Sequence, residues 1–157
     1  MFADAKRIDA AGLSLNMLCQ QFPDDDLRSL IEAGTELRCL FMAPYGKAIQ
    51  AREQEEDYDA GILSALTEMN ISILTQRVRQ RLPEEAQQRL CIATYDETIR
   101  FNVMLVDRRL AVVQPYMYGA RGVESPTLLL RRQHGMAGTF NTFEHTFDWL
   151  WERRTDR

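Results

Sequence analysis

Residues 94–119 read TYDETIRFNVMLVDRRLAVVQPYMYG. A period of two begins at Leu90 and runs through this stretch, which predicts strands rather than helices. Phe101, Val103 and Leu105 fall on one face of a strand, with Arg100 and Asn102 on the other. In the next strand Gln114, Tyr116 and Tyr118 share a face. Four strands are predicted at 90–94, 98–106, 110–118 and 127–132, with Asp96-Glu97 and Asp107-Arg108-Arg109 as hairpin turns. The length of the second turn decides whether a polar patch forms. With a three-residue loop, Val106 faces Leu110, Asn102 faces Gln114 and Arg100 faces Tyr116. With a two-residue loop, Gln114 and Tyr116 join Phe101 and Val103 and there is no patch.

Toward the N-terminus the pattern is different. Residues 7–14 (RIDAAGLS) form a short strand, with Ile8, Ala10 and Gly12 on one face. The Gly12-Leu13-Ser14 exit marks a place where the backbone comes close to something. Leu15, Leu18 and Phe22 have helical spacing. Pro23 and Asp24-Asp25-Asp26 start a second helix, whose apolar face is Leu27, Leu30 and Ile31 and whose stop is Gly34. Residues 37–42 (LRCLFM) read as a buried parallel strand ended by Ala43-Pro44. The order strand, helix, strand is a βαβ unit.

Residues 45–59 contain the acidic run EQEEDYD, which reads as a solvated helix end. A longer helix is expected at 60–82, with Ile62, Leu66, Met69 and Ile73 as its stripe and Leu63, Leu74 and Val78 on the flank. Arg77, Arg79, Arg81 and Arg89 lie at and beyond its C-terminal end, where the helix dipole favours cations. No aromatic residues interleave them as a nucleic-acid surface would require. Residues 119–126 and 135–138 are loops. A last helix, 140–153, aligns Phe140, Phe143, Phe147, Leu150 and Trp151 on one packing stripe. The fold class is therefore α/β: a mixed β-sheet flanked by helices, in one domain over residues 1–157.

Composition bounds the function. The chain has 157 residues, 45% of them hydrophobic, and a net charge of −4. This suits a domain with a real core and gives no overall attraction to nucleic acid. No apolar run reaches the roughly 18 residues of a membrane span, and the N-terminus has no signal-peptide stretch, so a cytoplasmic location is expected. Cys19, Cys39 and Cys91 form no CxxC pair and read as buried free thiols. His134 and His145 form no motif, so neither a metal site nor a cofactor is expected.

Strand–helix–strand, a long helix and a hairpin-rich half resemble one phospholipase D-like unit. Active members carry HxKxxxxD, in which the His attacks phosphorus, the Lys binds phosphate and the Asp supports them. Here Arg100-x-Asn102-x4-Asp107 stands at that spacing, so only the acid is kept, and VVQPYMYG replaces the downstream GSxN segment. The chain is more closely similar to the phospholipase D-like domain found behind helix-turn-helix segments in bacterial XRE-type regulators. The matching pieces are AKRIDAAGLSL, TELRCLFMAP, residues 94–119, TLLLRR and the aromatic closing helix. Where that group carries Asp-Pro, this chain has Ala43-Pro44.

The resemblance implies a non-catalytic ligand-sensing domain. A covalent phosphoryl transfer needs a nucleophile with a usable lone pair, and a guanidinium stays protonated. Ser14, Arg100, Asn102, Gln114, Tyr116, Tyr118 and Arg121 are the candidate ligand-binding residues, for a small anionic or nucleotide-like molecule; no catalytic residue is assigned. The resemblance also implies a homodimer, no membrane, and DNA contact only through a separate helix-turn-helix segment. Two alternatives stay open: a hydrolase using His134 (or, less aptly placed, His145), and a homodimerising interaction module.

Overall fold

In the computed structural model, residues 2, 4–117, 125–133, 135 and 138–157 are described. Among them a seven-stranded sheet runs β6-β5-β4-β1-β2-β3-β7. Its strands are β1 (Arg7–Gly12), β2 (Glu36–Met42), β3 (Leu90–Tyr95), β4 (Phe101–Val106), β5 (Leu110–Pro115), β6 (Leu128–Arg131) and β7 (Thr155–Asp156). β1, β2 and β3 are parallel, and the remaining pairings are antiparallel. The βαβ start and the mixed sheet are as the sequence predicts.

Helices cover both faces. One layer holds α1 (Asn16–Gln21) and α2 (Asp24–Glu32), whose Leu18, Leu27 and Ile31 pack on Ile8, Ala10 and Cys39. α2 ends where the sequence places its stop, with Gly34 at φ 111°. The other layer holds α3 (Lys47–Glu55) and α6 (Thr139–Glu152), whose Ile49, Phe147 and Leu150 pack on Ala11, Leu40 and Leu105. α4 (Ile62–Ser72) joins the layers: its Leu63 belongs to the second and its Ile71 to the first. A short α5 (Glu84–Gln87) leads into β3. No helix among the described residues is long and apolar enough to cross a membrane.

Four expectations need correction. Asp96-Glu97 is not a hairpin turn. β3 and β4 do not pair, because β2 and β1 lie between them. Residues 96–100 instead cross the C-terminal ends of β2 and β1, a span of about 14 Å at ~4.8 Å per strand, within the roughly 17 Å reach of five extended residues. Asp96 caps α3, accepting from the Lys47 and Ala48 N–H groups at 3.1 and 2.9 Å.

Second, the expected single helix at 60–82 is α4, then a π-helical turn at Ile73–Val78 and a 3₁₀ turn at Arg79–Arg81. Its buried face is turned by about one residue from the expected stripe. Leu63, Thr67, Asn70, Ile71, Leu74 and Val78 are buried, while Ile62 and Met69 are exposed. Polar residues on the inner face caused the difference. Asn70 donates to the Ser14 carbonyl and to Asn16 Oδ1, both at 2.7 Å, and the Thr67 hydroxyl donates to the Leu63 carbonyl at 2.8 Å. Hydrogen-bonded in this way, both can be buried at little cost.

Third, the acidic run is not only solvated surface. Glu53 is 2% exposed and accepts from the N–H groups of Gly61, Leu63 and Ser64 at 2.9, 2.9 and 3.2 Å. It satisfies the orphan donors at the start of α4. Fourth, Cys91 is only half-buried, while Cys19 and Cys39 are buried as expected. Burial pushes the Cys19 thiol up to about 12, with Asp24 adding to the shift.

An ion cluster centred on the buried Asp9 fastens α6 to the sheet. Asp9 is 1% exposed and meets Arg7, Arg38 and Arg108 at 3.0, 2.6 and 3.2 Å. Arg108 continues to Glu144 at 3.2 Å and to Asp148 at 2.7 Å. The Arg38 guanidinium lies over the Phe147 and Trp151 rings, 4.9 and 4.4 Å from their centroids. Arg108 and Asp107 are left-handed, φ 54° and 50°, which costs about 1–2 kcal/mol each. The ion cluster on Arg108 and the two backbone N–H groups that Asp107 accepts, from Lys6 and Arg7 at 2.8 and 2.9 Å, offset that strain.

Glu53→Ala removes the acceptor of three donors, two of them buried. Urea denaturation is expected to show a loss of about 2–3 kcal/mol, against less than about 0.5 kcal/mol for the exposed Glu55→Ala.

Candidate functional site

The crossing segment 96–100 delivers β4 to the free edge of β1 at the C-terminal end of the parallel strands. The turn after β4 has three residues, so Val106 pairs with Leu110 and Asn102 with Gln114. This is the register that forms the polar patch. Beyond the strand ends it continues through the Tyr116 N–H, which donates to the Arg100 carbonyl at 2.7 Å.

Asn102 lies against Gly12. A Cβ on Gly12 would sit 1.9 Å from Asn102 Oδ1 and 2.9 Å from its Cγ. Only a residue without a side chain permits this approach, which is the close contact that the Gly12-Leu13-Ser14 exit signals. Asn102 Oδ1 accepts from the Tyr116 hydroxyl at 2.6 Å, and that hydroxyl accepts from the Leu13 N–H at 2.8 Å. Burial raises the Tyr116 phenol above its ordinary range, against the lowering effect of the Leu13 N–H and Arg52. Tyr95, the last residue of β3, is buried with its hydroxyl unpartnered among the described residues. Burial and the neighbouring Tyr116 push its ionisation well upward.

α3 closes the other side. The Arg52 guanidinium lies 5.4 Å from the centre of the Tyr116 ring. Glu55 bridges two cations: Oε1 meets Arg100 Nη2 at 2.6 Å and Oε2 meets Arg52 Nη1 at 3.3 Å. Arg52 also pairs with Glu56. Hydrogen bonding to Arg100, then to Arg52, holds the Glu55 carboxyl below its usual range, so it is ionised at neutral pH.

The structure thus brings together Arg100, Asn102 and Tyr116 of the sequence-predicted set. Gln114 stands opposite Asn102, but its amide donates to the Thr127 hydroxyl at 3.1 Å. Together with Asn102, Gln114 edges a small apolar cleft lined by Leu15, Leu18 and Met104. Ser14 is buried, and its carbonyl is taken by Asn70 of α4. Its described contact belongs to the α1–α4 side, not to Arg100. Tyr118 and Arg121 lie outside the described residues, as does His134. His145 is exposed on α6.

Arg52, Glu55 and the Leu13 N–H were not among the residues read from the sequence. The Arg52–Glu55 and Arg52–Glu56 spacings, i to i+3 and i+4, are the signal that marks the helical pairs; nothing local points from them to Arg100. Asp107 sits at the far end of β4, roughly 20 Å of strand from Arg100, where it holds the start of β1. Among the described residues no group of three or more His, Cys, Asp or Glu side chains could hold a metal ion.

A double-mutant cycle tests the Gly12–Asn102 approach. Gly12→Ala alone is expected to destabilise the fold, and Asn102→Ala in the same chain to recover most of that loss, with a coupling of about 1–3 kcal/mol. Additive losses would contradict the contact.

Comparison with known proteins supports the architecture. One solved structure, a phospholipase D family member, Nuc from Salmonella typhimurium, superposes with a TM-score of 0.53, covering 99% of this chain and 85% of that one at 11% identity. At that identity the likeness shows a phospholipase D-like fold. No curated protein sequence matches significantly. A family profile described as a domain of unknown function, DUF5919, matches residues 1–156, and the chain belongs to that family.

Proposed function

We propose that this chain is a non-catalytic sensing domain that holds a small anionic, phosphate-bearing or nucleotide-like molecule at Arg52, Arg100, Asn102 and Tyr116, and that it serves a bacterial transcriptional regulator. The observation that carries this reading is the bridge at Glu55. Two guanidiniums from different elements stand close enough for one carboxylate to span them, each held by one of its oxygens. A phosphate offers the same pair of acceptor oxygens with more charge, and guanidiniums suit it by geometry as well as sign. The Tyr116 ring and the Asn102 amide beside them supply a flat face and polar contacts of the kind a nucleotide uses.

The chemistry supports holding rather than cutting. At the two positions where active phospholipase D-like units carry an imidazole and an ammonium, this chain has Arg100 and Asn102. The first is a permanent cation and the second a neutral amide, so neither can form a phosphoryl-enzyme bond at neutral pH. The regulatory setting rests on the resemblance to domains that follow helix-turn-helix segments, where ligand occupancy would shift a conformational equilibrium.

A thermal-shift series with inorganic pyrophosphate and nucleoside mono- and diphosphates tests this. A ligand at about 100 times its Kd adds about 2.7 kcal/mol, roughly 5–10 °C in Tm for a chain of this size. Arg100→Ala, an exposed substitution, should abolish the shift and leave the unliganded Tm nearly unchanged. A full shift retained in that variant would place the ligand elsewhere.

A further inference from the structure

The same bridge has a second consequence. We infer that Glu55 and Glu56 act as a built-in competitor: they fill the seat between Arg52 and Arg100, and an anionic ligand enters only by displacing them, freeing the turn that joins α3 to α4. This rests on the reading of Arg52 and Arg100 as an anion seat.

Three observations lead there. Both cations are already occupied by carboxylates of α3's own end. Glu55 spans Arg52 and Arg100, and Glu56 takes the remaining Arg52 contact. The Arg100 end of the bridge is exposed. The Arg100 and Glu55 side chains are 55% and 44% accessible, against 13% for Arg52, and the Arg100–Glu55 pair is weak, because water and salt compete for both partners. A latch of that strength stays closed without ligand, yet a more highly charged phosphate can replace it.

The third observation concerns where the latch leads. Glu55 and Glu56 follow Glu53 by two and three residues, and Glu53 holds the N–H groups of Gly61, Leu63 and Ser64. Asp57, in the turn between, is left-handed at φ 55°, a conformation that a non-glycine residue keeps only when its surroundings hold it. Release of Glu55 and Glu56 removes the neighbouring restraint. The change is passed to the first turn of α4, whose leading N–H groups Glu53 holds.

The test titrates inorganic pyrophosphate, by calorimetry, into the full chain, into Glu55→Gln/Glu56→Gln, and into Asp57→Asn/Asp59→Asn. The last pair removes the same charge from the same turn but touches neither arginine. The first variant is expected to bind roughly three- to tenfold more tightly than the unsubstituted chain, the span set by the loss of three modest ion pairs. The control is expected to stay close to the unsubstituted chain. In parallel, pyrophosphate should speed amide hydrogen exchange over residues 55–63 in the unsubstituted chain. Equal affinity in all three proteins would overturn the competitor while leaving the anion seat standing. An equal gain in the control would show a general field effect and overturn it too. No heat from any of them would overturn the seat and the competitor together.

Discussion

The approach of Asn102 to the bare Cα of Gly12 is the constraint on which the site depends. It sits where the parallel strands meet the antiparallel half of the sheet, between β1 and β4. A side chain at residue 12 would collide with the tip of Asn102. The Asn102 amide would then lose its place, and with it the Tyr116 hydroxyl and the Leu13 N–H. The crossing segment 96–100 has just enough length to reach this edge, so Arg100 is set down at the mouth of the same junction. Asp96 at the start of that segment caps α3, which in turn carries Arg52 and Glu55. A short stretch of backbone thus positions four elements around one point.

Two charged networks in the molecule do different work. The cluster is centred on the buried Asp9, draws on β1, β2, the β4–β5 turn and α6, and is backed by the aromatic rings under Arg38. Removing one partner there would strand a buried charge, so it acts as a fixed joint. The cluster of Arg52, Glu55, Glu56 and Arg100 is exposed on one side and draws on the end of α3 and the start of β4. Its Arg100–Glu55 pair is open to solvent. The first network holds the sheet to its helical cover, and the second is where we propose that an anion binds.

Much of this was legible in residues 94–119. Strand periodicity placed Asn102 opposite Gln114 once the turn was three residues long, and the small residues at 10–12 marked a crowded strand end. The β3–β4 crossover was not legible. Asp96-Glu97 offers the same local turn chemistry to a hairpin and to a crossing, and the choice is made by the edge of β1, more than eighty residues earlier in the chain. The face of α4 was misread because Asn70 and Thr67 are polar yet buried, their hydrogen bonds being supplied by tertiary neighbours and by the helix itself. Glu53 and Glu55 were hidden inside a charge run. Sequence shows the run, but only the fold shows that one member caps a helix and another spans two arginines. The two-residue β7 carries no periodic signal at all.

The central proposal is chemical: on a phospholipase D-like fold, Arg52 and Arg100 form a seat for an anion, and Arg100 and Asn102 stand where active phospholipase D-like units carry the attacking imidazole and the ammonium. The most direct measurement is release of nitrophenol from a chromogenic phosphodiester, bis(p-nitrophenyl) phosphate, by the purified full chain at neutral pH. The account predicts release at the rate of buffer alone. Protein-dependent turnover that disappears in Asn102→Ala or Arg100→Ala would contradict it.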